Sequence, residues 1–324
     1  MKKFGQVHCL LDCYASILEE DGRLDFRPLY LGVWDAYFEV NENGIFYASE
    51  SVDYKDWNSK FAMLYGNSCE HWYDRTVGKH ENFSNLMNRM RGGNKEKVSI
   101  ILVDLFYLPY SSQYRSKHTP HYVIVKQRKE QEWRINDPYF DWEGFISHQE
   151  LWESFGYNES GEGLIIDTGH FQGADEQTII QLFEKELKVL PGRLLKEVEN
   201  FVRTTVERNG GYLPKSFFSS IHEVGVISKR YGGYYYVLQY LSERTGNEHT
   251  KTISTIKELI KGWESLMLTM TRYQILNKPV DLTLFAAKGD HLDKLELEVK
   301  KELIEVFSEW RSSTFTVTDE VLRS

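Results

Sequence analysis

Cysteine is scarce in this 324-residue chain, which has only three, at positions 9, 13 and 69. A small, odd number of cysteines is not typical of secreted folds that depend on disulfide bonds. The N-terminus also lacks the apolar run of a signal peptide. We therefore expect a cytoplasmic, reduced protein, and the 41% of hydrophobic residues is enough to form a core without disulfides.

Long hydrophobic runs are missing as well. The most apolar stretch, Val98–Leu108, is interrupted by Asp104 and followed by Pro109. A membrane-spanning helix needs about 18 or more apolar residues in succession. The sequence therefore predicts no membrane partner, and this stretch is predicted to be a buried strand.

Positive charge is in deficit, since 39 lysines and arginines stand against 48 aspartates and glutamates. The resulting net charge of −9 disfavours a nucleic-acid partner, because phosphate binding requires a basic face. An acidic protein is better suited to a cationic substrate.

The first predicted helix begins with a cysteine. Leu10, Tyr14 and Ile17 recur at helical spacing, and Gly22 is placed to end the helix. Cys9 then lies in the first turn, where unpaired N–H groups and the helix dipole favour the nucleophilic thiolate. The alternative is a structural role, since a cysteine on an apolar helix is commonly a packing residue.

A second pattern places a histidine beside a carboxylate. Residues 121–125 and 133–138 read as the two strands of a hairpin with a polar tip at 129–132. His121 starts the first strand and Asp137 lies near the end of the second, so both lie at the same end of the hairpin. The alternative is a His–Asp pair on a solvated sheet edge.

Aromatic residues are concentrated between residues 26 and 40, before a predicted hairpin at Asn43-Gly44. Most of them are expected in a core. The same residue types could also line a cleft for a flat aromatic group.

Helical periodicity increases along the chain. Helices are predicted at 53–65, 82–91, 147–155, 175–190, 194–209, 217–244, 252–276 and 291–311, and a closing strand at 163–167. The fold class is therefore α+β, with a first domain at 1–170 that contains an antiparallel sheet and a mainly helical domain at 171–324. Gly232-Gly233 interrupts one predicted helix, and a packing contact or a kink explains it better than phosphate binding, because no strand precedes it.

Cys9, His121 and Asp137 are the residue types that nucleophilic catalysis requires. The imidazole takes the thiol proton, the carboxylate orients the imidazole, and the thiolate attacks a carbonyl carbon. At these residues the chain resembles the papain-like cysteine superfamily, particularly bacteriocin-processing and butirosin-type acyltransferase domains. The matching features are the helix from Cys9 to Gly22, the strand His121–Val125 and the turn Asn136–Tyr139.

This resemblance implies a papain-like catalytic domain over the first half of the chain. In that domain Cys9 is the nucleophile, His121 the general base and Asp137 the orienting carboxylate. Cys13 becomes a packing residue, and Gln6 a candidate for the oxyanion hole beside the backbone N–H of Cys9. His8 matches the His-Cys pair of butirosin-type domains, but neighbouring helix side chains point apart, so it is not expected to be the base.

The whole chain resembles the acyltransferases of petrobactin siderophore biosynthesis in bacilli. Those enzymes pass a 3,4-dihydroxybenzoyl group from an aryl carrier protein to a primary amine of spermidine or its citrate conjugate. The resemblance implies an N-acyltransferase with a cysteine acyl-enzyme, a carrier protein and a polyamine as partners, and no metal. It also implies no cofactor on the protein itself, since the acyl group arrives on the carrier's phosphopantetheine arm.

Such an activity would need binding residues for a ring, for a polyamine and for an acidic carrier protein. The candidates are Tyr30, Trp34, Tyr37 and Tyr139 for the ring, Asp35, Glu39 and Asp141 for the polyamine, and Lys185, Lys188, Arg193 and Lys196 for the carrier. Each charged residue fits a solvated surface position as well.

Three other functions fit parts of the pattern. A papain-like peptidase or amidase would use the same nucleophile with water as the acceptor. A non-catalytic interaction module would bury Cys9 and bind a partner through its helical half. A zinc site at His118 and His121 is the weakest, because Pro120 separates the histidines and no close cysteine pair is present.

Overall fold

The computed structural model describes residues 5–47, 55–67, 69–91, 96–129, 132–156, 161–190 and 192–321. The chain divides into two compact units. The sheet unit comprises Gly5–Leu29 and Tyr54–Asp175, and the helical unit comprises Met1–Phe4, Tyr30–Asp53 and Glu176–Ser324. The segment that begins at Tyr30 thus belongs to the helical unit by its contacts, although it precedes most of the sheet in sequence.

The first half of the described chain contains the strands and four helices, and helices fill the second half. The strands are β1 (Glu39–Asn41), β2 (Gly44–Phe46), β3 (Glu70–His71), β4 (Lys97–Asp104), β5 (Pro120–Lys129), β6 (Glu132–Asp137), β7 (Trp142–Ser147) and β8 (Gly163–Asp167). The helices are α1 (Cys9–Asp21), α2 (Lys55–Tyr65), α3 (Lys79–Arg91), α4 (His148–Ser154), α5 (Glu176–Glu186), α6 (Arg193–Arg208), α7 (Phe217–Ser228), α8 (Gly233–Thr245), α9 (Thr250–Ile275) and α10 (Leu282–Val321).

Six strands of the sheet unit, as far as the structure describes it, form one antiparallel sheet in the order β3-β8-β4-β5-β6-β7. The predicted buried strand is β4, which lies inside this sheet and pairs Ile101 with Val123 of β5. Apolar residues of the strands pack with Phe83 and Phe155 around the fully buried Trp133. The predicted α+β organisation, an antiparallel sheet followed by a helical region, is confirmed.

The first helix begins and ends where its sequence predicts. Cys9 is its first residue, and Gly22 ends it in the left-handed conformation, with φ at 71°. The N–H of Gly22 donates to the carbonyl of Leu18 at 3.1 Å, which satisfies one of the last carbonyls of the helix. A side chain at this φ would be strained, so glycine is the residue that this end requires.

The predicted hairpin is formed by β5 and β6, which pair Ile124 with Asn136 and Val125 with Ile135. Residues 130 and 131, at its predicted tip, lie outside the described residues. The strand that follows, β7, was not predicted. Five of its six residues are exposed or only partly buried, so it lacks the apolar alternation that marks a strand in sequence.

The helices predicted after residue 173 are observed as α5 to α10, with one of them divided into two. A short 3₁₀ turn at Lys229–Gly232 separates α7 from α8. At Gly233 an added Cβ would lie 2.3 Å from Cγ1 of Val33 and 3.2 Å from the carbonyl oxygen of Tyr30. The glycine pair therefore provides the break and the packing contact that the sequence predicts. None of the described helices combines the length and the apolar character needed to cross a membrane.

An ion-pair network centred on the buried Lys300 and Glu296 joins α10 to the exposed Asp35 in the helical unit. Lys300, whose side chain is 2% exposed, donates from Nζ to Oδ1 of Asp35 and to the carbonyl of Leu190, both at 3.0 Å. The same Nζ lies 2.9 Å from Oε1 of Glu296, which also accepts from Tyr234 at 3.2 Å. Burial raises the pKa of Glu296, and the ammonium of Lys300 opposes that rise.

Replacing Lys300 by alanine should destabilise the helical unit. The change leaves the buried Glu296 carboxylate without its ammonium partner, and losing one member of a buried ion pair costs about 3 kcal/mol. Urea denaturation followed by circular dichroism measures the loss. Lys301→Ala, at the neighbouring exposed position on the same helix, is the matched control. Equal denaturation midpoints for the two variants would contradict a stabilising role of this network.

Candidate active site

One face of α1 lies along β5 and β6 and positions the site. Cys9, Cys13, Ser16 and Glu20 follow one another at intervals of three or four residues, so they share that face. Sγ of Cys13 donates to the carbonyl of Tyr122 at 3.5 Å. Nδ2 of Asn136 donates to Oγ of Ser16 at 3.2 Å. Nζ of Lys126 donates to Oε2 of Glu20 at 2.8 Å. Because Tyr122 adjoins His121, this register directs Cys9, one turn earlier, to His121.

The turn that carries Cys9 is closed by two side chains. His8 is the N-cap of α1, and its Nδ1 accepts from the backbone N–H of Leu10 at 3.3 Å. Asp12 accepts from the backbone N–H of Val7 at 3.1 Å. Cys9 itself is 8% exposed, in the first helical turn, where backbone N–H groups lack intrahelical acceptors. Such N–H groups can bind an oxyanion that forms at a substrate carbonyl.

His121 and Asp137 are bonded neighbours, as the hairpin register predicts. Nε2 of His121 lies 2.9 Å from each carboxylate oxygen of Asp137. The two side chains are 4% and 0% exposed, so the predicted alternative of a solvated pair on a sheet edge is wrong. Burial away from water strengthens the attraction between a protonated imidazole and a carboxylate.

Cys9 is also a neighbour of His121 and acts electrostatically on its imidazole. Since Nε2 contacts Asp137, Nδ1 is the ring nitrogen left for the thiol. Burial alone would lower the pKa of His121, but the Asp137 carboxylate and Cys9 outweigh it and raise that pKa from 6.5 to about 10. The imidazole is therefore protonated at neutral pH, which places a positive charge near Cys9.

Tyr139 and Phe140 also contact His121, and the ring centre of Phe140 lies 5.2 Å from that of the imidazole. The Tyr139 ring meets the imidazole edge-on, with 5.4 Å between the ring centres. Burial, together with neighbouring Cys9, Asp12 and Asp137, raises the pKa of the Tyr139 hydroxyl. The hydroxyl therefore keeps its proton at neutral pH.

Two family models together match almost all of this chain. They are the DUF6005 N-terminal domain, over residues 5–171, and the DUF6005 C-terminal domain, over residues 177–323. The chain belongs to the DUF6005 family. It is also similar to petrobactin synthase of Bacillus anthracis, with 26% identity over 312 residues that cover 94% of this chain and 95% of that protein. The predicted resemblance to petrobactin biosynthesis enzymes is confirmed by this similarity.

The sheet unit of this DUF6005 protein holds six of the predicted site residues. Cys9, His121, Asp137 and Tyr139 lie together, and Gln6 is partly buried in the same unit, ahead of the first turn of α1. Cys13 is 0% exposed and packs against β5, which fits the predicted packing position. Asp141 is exposed, in the turn between β6 and β7. The catalytic and oxyanion roles of these residues stay predictions.

The aromatic residues predicted to bind a ring lie in the helical unit, apart from Tyr139. Tyr30 stacks on Tyr236 with ring centres 4.5 Å apart, and Trp34 stacks on Tyr234 at 4.1 Å. Both are buried core residues of that unit, at 2% and 6% exposure. Tyr37 is 49% exposed. Their part in substrate binding stays a prediction.

The charged candidates of the helical unit have partners of their own. Asp35 pairs with Lys300, and Glu39 accepts from Asn41 at 2.7 Å. The four basic residues predicted to bind a carrier are all exposed. Arg193 also lies over the rings of Tyr37 and Phe38, at 5.2 and 4.7 Å from their centres.

Within the described residues, no group of three histidine, cysteine, aspartate or glutamate side chains could hold a metal ion. His118, the other ligand of the zinc alternative, has its Nδ1 2.6 Å from Asp104 and stacks on Phe106. None of the three cysteines, all of which are described, forms a disulfide.

Sequence reasoning missed Tyr110 and Asp12. Tyr110 lies in the polar stretch that leads into β5, and its hydroxyl donates to Oδ2 of Asp137 at 2.9 Å. Asp12 lies one turn beyond Cys9, where its spacing alone would have suggested a link to the start of the helix. Tyr110 had no comparable signal, because its partner is distant in sequence.

The buried pair should make folding stability depend on pH. The pKa of His121 is raised on folding, so the folded state keeps a proton that the unfolded state releases between about pH 6.5 and pH 10. The stabilisation is complete below about pH 6.5 and is lost as the pH rises through about 10. We expect the urea midpoint to fall over this range, and Asp137→Asn to remove much of that fall.

Glu258→Gln is the matched control for this measurement. It removes the carboxylate of an exposed pair, in which Oε1 of Glu258 lies 3.1 Å from His291. Exposed pairs contribute little to stability, so the pH dependence should stay as in the native protein. An Asp137→Asn variant that behaves like this control would show that the buried pair does not raise the pKa of His121.

Proposed function

We propose that this protein is a cytoplasmic N-acyltransferase of petrobactin biosynthesis. It transfers an aryl acyl group, 3,4-dihydroxybenzoyl, from an aryl carrier protein to a primary amine of spermidine or of a citryl-spermidine intermediate. One observation carries the proposal: the buried His121 is hydrogen-bonded to Asp137 and has Cys9, the first residue of a helix, as its neighbour. The similarity to a protein named petrobactin synthase supports the pathway.

The first step forms an acyl-enzyme. The Cys9 thiolate attacks the carbonyl carbon of the carrier's thioester, and the oxyanion is held by the backbone N–H of Cys9, with Gln6 as a second candidate donor. As the carbon–sulfur bond to the carrier breaks, the departing phosphopantetheine sulfur takes the proton of His121. The acyl group is then joined to Sγ of Cys9 as a thioester, and the imidazole is neutral.

The second step transfers the acyl group to the amine. The neutral amine attacks the thioester carbon, and His121 accepts the proton that the nitrogen loses. The amide forms as the bond to Sγ breaks, which restores the thiolate and the imidazolium. Asp137 holds the imidazole in place through both steps.

Substrate binding follows from charge and ring chemistry. The net charge of −9 favours approach of a polycationic amine. In the sheet unit, Tyr139 is the candidate for contacting the acyl ring, because its own ring lies 5.4 Å from that of His121. Of the candidates in the helical unit, Tyr37 is exposed, whereas Tyr30 and Trp34 are buried in stacking pairs of that unit. Asp35, Glu39 and Asp141 remain the candidates for the amine. The protein itself needs no cofactor, because the acyl group is activated on the carrier.

Intact-mass spectrometry tests the nucleophile and the donor together. Incubation with acylated carrier in the absence of amine should add one 3,4-dihydroxybenzoyl group to the protein, and adding spermidine should remove it as the amide. Cys9→Ala should form no adduct and should lower turnover by at least about 1,000-fold, as loss of a catalytic nucleophile does. A Cys9→Ala variant with native turnover would exclude the mechanism.

Cys69→Ala is the matched cysteine control. Burial raises the pKa of Cys69 to about 11, and its Sγ lies 3.4 Å from the hydroxyl of Tyr14, so this thiol should react slowly. The variant should acylate at the native rate. Loss of the adduct by water alone, at the same rate with and without amine, would instead identify a thioesterase or an amidase-type enzyme.

The carrier should dock on the exposed basic residues of the helical unit. Carrier proteins are usually acidic, so Lys188→Glu with Lys196→Glu should raise the KM for acylated carrier by about tenfold. Turnover of a small thioester that lacks the carrier should not change, because the site in the sheet unit is intact. Lys257→Glu with Lys261→Glu reverses the same number of exposed charges on α9 and is the control. Equal KM values for the two double variants would exclude this docking surface.

A further inference from the structure

The segment between β4 and β5 brings a tyrosine to the far side of the His121–Asp137 pair. Oη of Tyr110 donates to Oδ2 of Asp137 at 2.9 Å. The ring of Tyr110 stacks on Trp142, with 3.8 Å between centres and 11° between planes, and meets Phe140 edge-on at 6.4 Å. The hydroxyl is thus held in place by the packing of its own ring.

Asp137 depends on its donors because it is fully buried. Its Oδ1 accepts a hydrogen bond from Nε2 of His121 at 2.9 Å and a longer one from the N–H of Phe140 at 3.4 Å. Its Oδ2 accepts hydrogen bonds from Nε2 of His121 and from the hydroxyl of Tyr110, both at 2.9 Å. Water cannot readily replace a lost donor at a site with 0% exposure, so each bond limits rotation of the carboxylate.

We propose that Tyr110 is a positioning residue for His121. Its hydroxyl fixes the plane of the Asp137 carboxylate, the carboxylate holds Nε2 of His121, and the ring is thereby kept with Nδ1 facing Cys9. Tyr110 contacts neither the thiol nor the transferred group in this arrangement, and it acts through Asp137. The proposal rests on the proposed function only for its kinetic consequence.

Two further observations agree with this role. Burial and the neighbouring Asp137 carboxylate raise the pKa of Tyr110 well above its usual value, so the hydroxyl keeps its proton and remains a donor. The titratable groups that face His121 are Cys9 from α1, Asp137 from β6 and Tyr139 from the next turn, and of these Asp137 is the one that Tyr110 bonds.

The kinetic test combines Tyr110→Phe with Asp137→Asn. Tyr110→Phe removes the hydroxyl and keeps the ring on Trp142. We expect the single-turnover rate of Cys9 acylation to fall by about 10- to 100-fold, the effect of losing a hydrogen bond to a charged group, with the KM for the donor unchanged. Since Tyr110 acts through Asp137, adding Tyr110→Phe to Asp137→Asn should cause little further loss.

Tyr114→Phe is the matched control, because it makes the same change on the same segment at a side chain that is 40% exposed. It should leave the rate as it is in the native protein. Trp142→Phe is a second variant, which keeps the Tyr110 hydroxyl and alters the surface on which its ring rests. It should give a smaller loss in the same direction.

A separate readout does not require acyltransferase activity. The titration midpoint of His121 is measured by NMR on protein labelled at histidine Cε1, with the signal assigned by its disappearance in His121→Gln. Asp137→Asn should lower this midpoint, and Tyr110→Phe should lower it by a smaller amount, because a carboxylate that is less well aligned stabilises the imidazolium less. A native midpoint in Tyr110→Phe would overturn the positioning role, even if no acyl transfer were detected with any variant.

Discussion

The buried hydrogen-bonded pair of His121 and Asp137 is the interaction on which the arrangement of the sheet unit depends. A carboxylate with no exposed surface is stable only where donors replace water, and His121, Tyr110 and the N–H of Phe140 provide them. These donors come from β5, from the segment before it and from the turn after β6. The pairing register of the hairpin, the stacking of Tyr110 on Trp142 and the packing of α1 all contribute to one site.

The same pair sets the chemistry available to Cys9. A raised pKa at His121 keeps a positive charge beside the thiol at neutral pH, and the start of α1 adds the N–H groups of the first turn. The residues of α1 that contact β5 and β6 are spaced so that Cys9 extends the same row. If α1 packed on β5 and β6 through a different set of residues, Cys9 would face another part of the sheet.

In the helical unit, charged side chains connect distant elements of the fold. Its network of Lys300, Glu296 and Asp35 joins elements that are far apart in sequence, and it includes a carboxylate that sequence reasoning assigned to a polyamine. Tyr30 and Trp34, assigned to a ring substrate, are likewise occupied in aromatic stacking within that unit. Composition shows which residues have the right chemistry to bind a substrate. It does not show which of them already form ion pairs or ring contacts within the protein.

Local signals in the sequence determined the helix from Cys9 to Gly22, the hairpin that brings His121 to Asp137, and the change to helices in the second half. Each depends on spacing or on turn residues within a short stretch of chain. Tertiary structure alone decided that the Tyr110 hydroxyl bonds Asp137 and that Lys300 forms an ion pair with Asp35. It also decided that the segment from Tyr30 belongs to the helical unit. Those contacts join residues that are distant in the chain, and their energy comes from burial, which no local pattern records.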